Sequence, residues 1–599
     1  MTTQEKLAAL RSHMSARGVD ILLITSDDYH QSEYVGDFFK SRAWASGFTG
    51  SAGTLIITQT DAKLFTDGRY YIQAERQLEG STIDLMRSGT EGVPTPTEYM
   101  LSLLNDESRG YKVIATDGKC VSAKIAEMLR RRLPSGASMV SDTDFVGLIW
   151  EDRPALPSSE IWKLDEKYSG RSHKEKLSDV RSALNNQTCN ALVMSSLCDI
   201  AWLYNLRGND VEHTPVFLSY CIVTEDEDML FANTGAISDV KAELESDGVK
   251  IYPYEEFYSA LSTLKNKTVL VDKSAVSEAI VSALSGSKLV DAKNPTLILK
   301  AKKNAVELEN IRRAHIADGL AVTKMMIELK YGNTEFNELT VEKHLLALRR
   351  ECAEKLGVTL IDESFGAICA FGANAAMAHY SATPESYSTV DRSAPLPMLL
   401  IDSGGQYLEG TTDITRTFVL GNIPNEVKKH YTLTACGMLR LANLTFLEGA
   451  TGTAMDIICR QMMWEHGIDF RHGTGHGVGY LLSVHEGPNC FHWLRGDAKI
   501  EEGMITTDEP GIYVEGSHGI RIENELAATK AFRNEFGQFM RFENLTFCPI
   551  DLDGIDISLL DRSDIKHLNS YHQSVYDTLA PYLCKNDLEK LAYLTREIS

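Results

Sequence analysis

No stretch of the sequence approaches 18 consecutive apolar residues, which excludes a helical membrane span. The opening segment, MTTQEKLAALRSHMS, reads as the start of an amphipathic helix and lacks the apolar core of a secretory leader. The 11 cysteines are scattered, odd in number and free of any CxxC pair, so neither a disulfide framework nor a zinc knuckle is indicated. They read as buried or inert thiols of a reducing compartment, and the expected location is the cytoplasm. Basic residues are also short: 60 Lys and Arg against 83 Asp and Glu leave a net charge of −23. Without a basic stripe to neutralise phosphates, a nucleic-acid partner is excluded. An acidic chain is compatible with drawing in a protonated peptide N-terminus. The rest of the composition, 43% hydrophobic and 24% charged, is ordinary for a globular protein, and 599 residues suffice for three or four domains.

What the chain does have is concentrated between Met398 and Glu523. Asp402 ends the apolar run PMLLID before Ser-Gly-Gly, and Asp413 opens the alternating segment DITRTF. His476 lies in RHGTGHGVG, Glu509 in TTDEPG and Glu523 in GIRIENE. Met398 to Asp402 reads as a buried strand and Thr412 to Val419 as a second one, with Asp413, Thr415 and Thr417 on one face. A hairpin centred between Tyr407 and Leu408 sets Asp402 directly opposite Asp413, with Cβ atoms about 5 Å apart. Two carboxylates that close repel each other unless a cation sits between them, and a metal ion is the natural candidate. GIRIENELA reads as a strand with Arg521, Glu523 and Glu525 on one face. Glu509 falls at a strand end, and His476 falls in a Gly-rich loop where a backbone can approach a ligand closely. Carboxylate-rich ligation with one imidazole suits manganese, with zinc or cobalt as alternatives. Two such ions about 3.5–4 Å apart form a hydrolytic centre.

Taken singly, an Asp before Ser-Gly-Gly is a turn residue, a Glu near an Arg on a strand is an exposed ion pair, and a His among glycines is a loop residue. Their joint order is another matter. An Asp, a second Asp eleven residues on, HGxGHGxG, DEPG and RxEN do not arise together for structural reasons alone.

This pattern resembles the pita-bread metallopeptidases, the group of methionine aminopeptidase, prolidase, creatinase and aminopeptidase P. It is most similar to the long, three-domain, cytosolic type of Xaa-Pro aminopeptidase. The resemblance covers essentially the whole chain, with its most specific motifs in 361–549. It implies that Asp402, Asp413, His476, Glu509 and Glu523 ligate two divalent ions. Asp413 and Glu523 bridge them, His476 and Glu509 complete one site, and Asp402 completes the other. None of the five positions is substituted. It further implies that His379 in NAAMAHYSAT, His472 in RHGTG and His485 in SVHEGP are active-site histidines, and that Arg521 orients a ligand carboxylate. Singly, each of these histidines reads equally well as a surface-loop residue. Glu509 becomes a proton shuttle as well as a ligand. The implied activity is removal of the N-terminal residue from peptides with proline in second position, by a metal-bridging hydroxide, with one ion holding the free α-amino group. Prolidase, which cleaves Xaa-Pro dipeptides, is the alternative. Chain length and a duplicated N-terminal domain stand against it. A metal-free binding module or a creatinase-type hydrolase is disfavoured because no ligand is lost.

The fold class expected is α/β with α+β: two tandem creatinase-type α/β domains, then a curved antiparallel sheet wrapped by helices. Residues 1–155 form the first domain, 156–302 a second copy, 303–550 the catalytic domain and 551–599 a helical extension. The copies are legible as repeated element order at an offset of roughly 166–170 residues. Thr2-x-x-Glu5 is a capping box, and Phe39 to Gly53 is a Gly- and aromatic-rich loop given no catalytic role. A long helix ends near Gly332 with Val306, Leu308, Ile311, Ala314, Leu320 and Met325 on its buried face. Helices follow over Thr340 to Glu354, Glu426 to Asn443, Thr453 to His466, Ser563 to Thr578 and Asn586 to Glu597, the last capped by Asn586. A homodimer is expected, with peptides as the substrate partners.

Overall fold

The computed structural model describes residues 1–599. Two helix starts show the duplication most directly. Thr2 and Glu5 form a capping box on α1 (Thr3–Ala16), and Ser172 and Glu175 form the same box on α2 (His173–Asn186). Each box satisfies two orphan donors of its helix start. Gly18 and Thr188 then take the left-handed conformation at φ 65° and 54°, turning the chain into the first strand of each copy.

The first sheet contains β1 (Ile21–Ile24), β2 (Thr54–Thr58), β3 (Ala62–Thr66), β4 (Asp84–Arg87), β5 (Val113–Thr116) and β6 (Ser138–Val140), in the order β4-β3-β2-β1-β5-β6. The second contains β7 (Ala191–Met194), β8 (Ser219–Thr224), β9 (Asp228–Ala232), β10 (Val249–Pro253), β11 (Thr268–Val271) and β12 (Lys288–Asp291), in the order β10-β9-β8-β7-β11-β12. In both, the first strand pairs antiparallel with the second and parallel with the fifth. Together they form one of two compact units, Met1–Leu164 with Arg171–Thr296. The Phe39–Gly53 segment is partly helical rather than a loop: a short helix covers Ser41–Ser46. Its buried Arg42 donates to the carbonyls of Phe48 and Gly50, which organises the turn from within.

The other unit comprises Asp165–Gly170 and Leu297–Ser599. Asn304 and Glu307 cap α3 (Ala305–Tyr331), and Asn337 caps α4 (Glu338–Leu356). The buried face of α3 begins at Ile311. Val306 is 41% exposed, because Glu307 turns inward to close the capping box. Helices α5 (Asn425–Ala442) and α6 (Gly452–Trp464) pack on each other.

Every strand pairing in this unit is antiparallel, and the curved sheet is divided into pieces. β13 (Leu360–Glu363), β16 (Gly405–Tyr407) and β17 (Gly410–Thr411) form one piece. β14 (Ile368–Phe371), β15 (Met398–Ser403) and β18 (Ile414–Val419) form a second. A six-stranded piece joins β19 (Thr445–Leu447), β20 (Gly475–Gly477), β21 (Glu486–Phe491), β22 (Ile505–Asp508), β25 (Asn524–Asn534) and β26 (Gly537–Asn544). β23 (Gly511–Val514) pairs with β24 (His518–Arg521) alone. Apolar side chains from α3, α4, α5 and the second piece form one core with the C-terminal helix α7 (Arg562–Leu579). The last helix, α8 (Lys585–Leu594), starts at Lys585 with Cys584 before it. Asn586 therefore lies inside the helix and does not cap it.

Arg416 ties these pieces together. It is 1% exposed and donates to the carbonyls of Thr415, Glu523 and Cys548, to Asn524 Oδ1 and to Tyr571 of α7. Arg416→Met leaves several buried carbonyls without donors, each costing about 1–3 kcal/mol. The expected result is a loss of stability of about 3–5 kcal/mol, read from the urea unfolding midpoint. A loss below about 1 kcal/mol would contradict this role.

Candidate metal centre

The centre forms where the sheet pieces meet. Asp402 pairs with Thr415 and Tyr407 with Gly410, so the hairpin turns between Leu408 and Glu409, one position later than the spacing suggests. Asp413 is then a diagonal neighbour of Asp402, not its direct partner. Both still face one side, because a shift of two along the partner strand preserves the face. The register is the same on both sides of the break after Ser403 and Ile414, and the two-residue turn at Leu408 and Glu409 sets it.

Glu523 also departs from expectation. GIRIENELA is not one strand: β24 stops at Arg521, β25 begins at Asn524, and Ile522 and Glu523 bridge them. The break frees the Glu523 N–H to donate to the Thr415 carbonyl at 3.0 Å. The Thr415 hydroxyl donates to Glu523 Oε2 at 2.6 Å. Glu525, beyond the break, accepts the Asp413 N–H at 2.6 Å and lies 3.3 Å from His315.

His476 sits on β20 rather than in a loop. The flanking glycines let neighbouring strands approach: a Cβ on Gly475 would stand 1.8 Å from the Thr507 carbonyl, and one on Gly477 would stand 2.2 Å from that of Glu486. The His476 Nδ1–H donates to the Gly477 carbonyl at 2.9 Å, which leaves Nε2 with its lone pair. That nitrogen lies 3.5 Å from Asp413 Oδ2 and 3.6 Å from Glu509 Oε1. Glu509, just past β22, is held by its N–H to the Thr474 carbonyl at 2.7 Å.

These separations are too long for hydrogen bonds. They are close to the roughly 3.0–3.5 Å expected between two donors about 2.1 Å from one ion. One donor atom each from Asp413, His476 and Glu523 lies within 4.8 Å of the others, and Asp402 Oδ1 is buried without a hydrogen-bond partner. Burial first, then the surrounding carboxylates, pushes Asp413 and Glu523 well above the usual carboxylate range. Burial also raises Glu509, against the opposing pull of His476 and Arg521. A cage of crowded carboxylates and one lone-pair nitrogen fits divalent metal ions and little else.

Around the cage runs a directed chain of hydrogen bonds. Arg521 donates through one nitrogen to Asp402 and through another to Tyr513 at 2.7 Å. His472 gives its Nδ1–H to the Gly473 carbonyl at 2.7 Å, so its Nε2 accepts from the Tyr513 hydroxyl at 3.0 Å. Burial, ahead of any neighbour, pushes Tyr513 up to about 12, which keeps it a neutral donor. Tyr513 is the residue that sequence reading leaves out. Its signal was the glycine before it: a Cβ on Gly511, which faces Arg521 across β23–β24, would stand 2.4 Å from the Tyr513 hydroxyl. The His485 ring meets the His476 ring edge-on at 4.2 Å. His379 follows a turn that packs on Gly519, where a Cβ would stand 1.6 Å from the Ala375 carbonyl, and Ala378 accepts from Arg521 at 3.4 Å. The ligand candidates, His472, His485 and Arg521 thus converge. His379 is half-buried, and its neighbour Ala378 accepts from Arg521.

A buried acidic cage enclosed by antiparallel sheet pieces defines a metal-dependent hydrolase. Residues 309–530 match metallopeptidase family M24, and 538–599 match its C-terminal region. Residues 6–153 and 152–307 each match the creatinase/prolidase N-terminal domain. A probable Xaa-Pro aminopeptidase P of Laccaria bicolor is 37% identical over 100% of this chain and 94% of its own. Aminopeptidase P2 of Arabidopsis thaliana is 36% identical over 97% and 87%. The solved X-prolyl aminopeptidase of Caenorhabditis elegans, described as a cytosolic enzyme with a di-nuclear active site, superposes with a TM-score of 0.93, at 30% identity and full coverage of both chains. The chain belongs to the Xaa-Pro aminopeptidase P family of M24 metallopeptidases. The prolidase of Pyrococcus horikoshii covers only 63% of it, at 21% identity and a TM-score of 0.50, and shares the fold.

The cage has a pH signature. Carboxyls raised in the folded state stabilise it fully below about pH 4, the unfolded carboxylate range. That contribution is lost as pH rises through the raised values. Chelator-stripped protein is therefore expected to lose stability as pH rises from about pH 4 through those raised values, and added divalent metal to raise Tm more at high pH than at low. An equal metal-induced gain at both pH values, by calorimetry, would count against the cage.

Proposed function

We propose that the protein is a metal-dependent exopeptidase that releases the first residue from peptides of the form Xaa-Pro-Yaa. The observation that carries this is the convergence of Asp413, His476 and Glu523 within 4.8 Å, on a chain matched end to end by Xaa-Pro aminopeptidases. The residues would hold two divalent ions, Mn²⁺ by preference and Zn²⁺ or Co²⁺ as substitutes. Asp413 and Glu523 would serve both, with His476 and Glu509 holding one and Asp402 the other. When bound, the ions supply Lewis acidity: they polarise the scissile carbonyl and acidify water at neutral pH.

The protein's own groups do the rest. Glu509 takes a proton from the attacking water and passes it to the proline nitrogen as the C–N bond breaks. His485 and His379 donate hydrogen bonds to the oxyanion of the tetrahedral intermediate. Arg521 orients Asp402, and Tyr513 holds His472 in the tautomer whose Nδ1 carries the proton. The leaving amide is tertiary and brings no N–H, so the pocket asks for no acceptor there, and the fixed φ of proline presents the carbonyl in one orientation. Domain assignments accompany this reading: 1–155 and 156–302 as the two α/β domains, 303–550 as the catalytic domain and 551–599 as the extension. A cytoplasmic setting is supported by 11 free cysteines. A homodimer is supported by an exposed edge-on pair, Trp464 and Trp493, beside Leu494 at 63% exposure.

The deciding assay compares an Arg-Pro-Pro tripeptide with an Arg-Pro dipeptide on chelator-stripped and on Mn²⁺-, Zn²⁺- and Co²⁺-loaded protein. Free Arg is expected from the tripeptide alone, only after metal loading, and fastest with Mn²⁺. Preference for the dipeptide would move the assignment to prolidase. Glu523→Ala should lower kcat/KM by more than about 100-fold while unfolding stays cooperative. Near-normal turnover in that variant would remove the shared-ligand arrangement. Separately, the protein should sediment at twice its 66.5 kDa mass at micromolar concentration, and Trp493→Glu should shift it to monomer. A wild-type monomer there overturns the dimer.

A further inference from the structure

Two helices send a charged residue towards the cage without reaching it. Asp318 of α3 and Arg349 of α4 meet in the interior, with Arg349 Nε 2.5 Å from Asp318 Oδ1. Arg349 is fully buried and Asp318 is 2% exposed. Fold stability alone does not account for them, since an apolar pair of similar volume often stabilises as well or better. What they touch is more telling. Arg349 donates to the hydroxyl of Ser403, the residue after Asp402, at 2.9 Å. Asp318 Oδ2 accepts from the hydroxyl of Thr412, the residue before Asp413, also at 2.9 Å.

These contacts fall at the gap in the hairpin ladder. The last pair of one sheet piece is Ser403 with Ile414, and pairing resumes at Gln406 with Thr411 in another piece. Between them the strands are pressed together: a Cβ on Gly404 would stand 1.8 Å from the Thr412 carbonyl. That carbonyl accepts from the Ser364 hydroxyl at 2.8 Å, and the Thr412 hydroxyl accepts the Gly405 N–H at 2.9 Å. The Asp413 N–H is not used in the ladder and turns to Glu525. Regular strand pairing therefore lapses beside Asp413, although the Thr412 N–H still donates to the Gly405 carbonyl at 2.9 Å. The ion pair spans the gap with one arm on each strand.

We propose that Asp318 and Arg349 are positioning residues: they form a strut that fixes Ser403 and Thr412, and through them the mutual geometry of Asp402 and Asp413. This rests on the reading of those two carboxylates as metal ligands. The strut acts on metal affinity and coordination geometry, not on the chemistry directly.

The test uses the full-length, chelator-stripped protein. Ser403→Ala and Thr412→Val remove the two tethers and leave the ion pair. Arg349→Met removes the strut, and if it fails to fold the tether variants decide. Mn²⁺ affinity is measured by calorimetry and coordination by the absorption spectrum of the Co²⁺ form. Each tether variant is expected to weaken Mn²⁺ binding about 10–100-fold and to shift the Co²⁺ bands, while Thr412→Ser, which keeps the hydroxyl, restores both. Wild-type affinity and an unchanged spectrum in the double variant Ser403→Ala/Thr412→Val would overturn the strut and leave the metal centre standing. A wild-type protein that binds no metal would overturn the centre itself, and the strut with it.

Discussion

Like charge held out of water is the constraint on which this structure turns. Asp402, Asp413, Glu509 and Glu523 face one another in a largely buried space, and no apolar packing offsets their repulsion. A divalent ion does, and the donor set suits one. The surrounding architecture can be understood as a way to keep these groups converged when nothing local favours it. Arg521 neutralises one edge of the cage, His476 closes another, and Thr415 satisfies one oxygen of Glu523.

The sheet serves this end by being broken. A continuous ladder spends every backbone donor on its neighbour strand. Here the ladder stops beside Asp413 and beside Glu523, and the freed N–H groups turn to Glu525 and to the Thr415 carbonyl. Glycines at 475, 477, 511 and 519 let strands and turns approach where any side chain would collide, and so bring the His476, Tyr513 and His379 segments to one place. Arg416 then recovers the order lost at the breaks by bonding carbonyls of several pieces at once. Tyr571 draws the C-terminal helix into the same network, which gives the extension a part in the catalytic unit's own core.

The duplicated α/β copies obey a simpler logic. Each begins with a capping box, a left-handed residue and a buried strand, and each repeats the same mixture of parallel and antiparallel pairs. At the level of chain organisation, they are matched over their full length by aminopeptidase P relatives.

The sequence by itself determined the local events. Capping boxes at Thr2 and Asn304, the repeat of the α/β copies, the apolar strand ending in Asp402 and the identity of the candidate ligands all depend on residues near each other in the chain, or on motifs whose order is chemical. Tertiary structure decided what depends on distant partners. The hairpin turns at Leu408 and Glu409, one residue later than the spacing suggests, because Tyr407 pairs with Gly410. Gly475 and Gly477 beside His476 proved to face Thr507 and Glu486, and Val306 turned outward while Glu307 turned in to close the capping box on Asn304. Tyr513 joined the site because Gly511 leaves it room, and Asp318 and Arg349 carry no motif at all. A local pattern states which residue types are present. Only the packed chain fixes which of them meet, because burial and strand pairing are settled by contacts far apart in sequence.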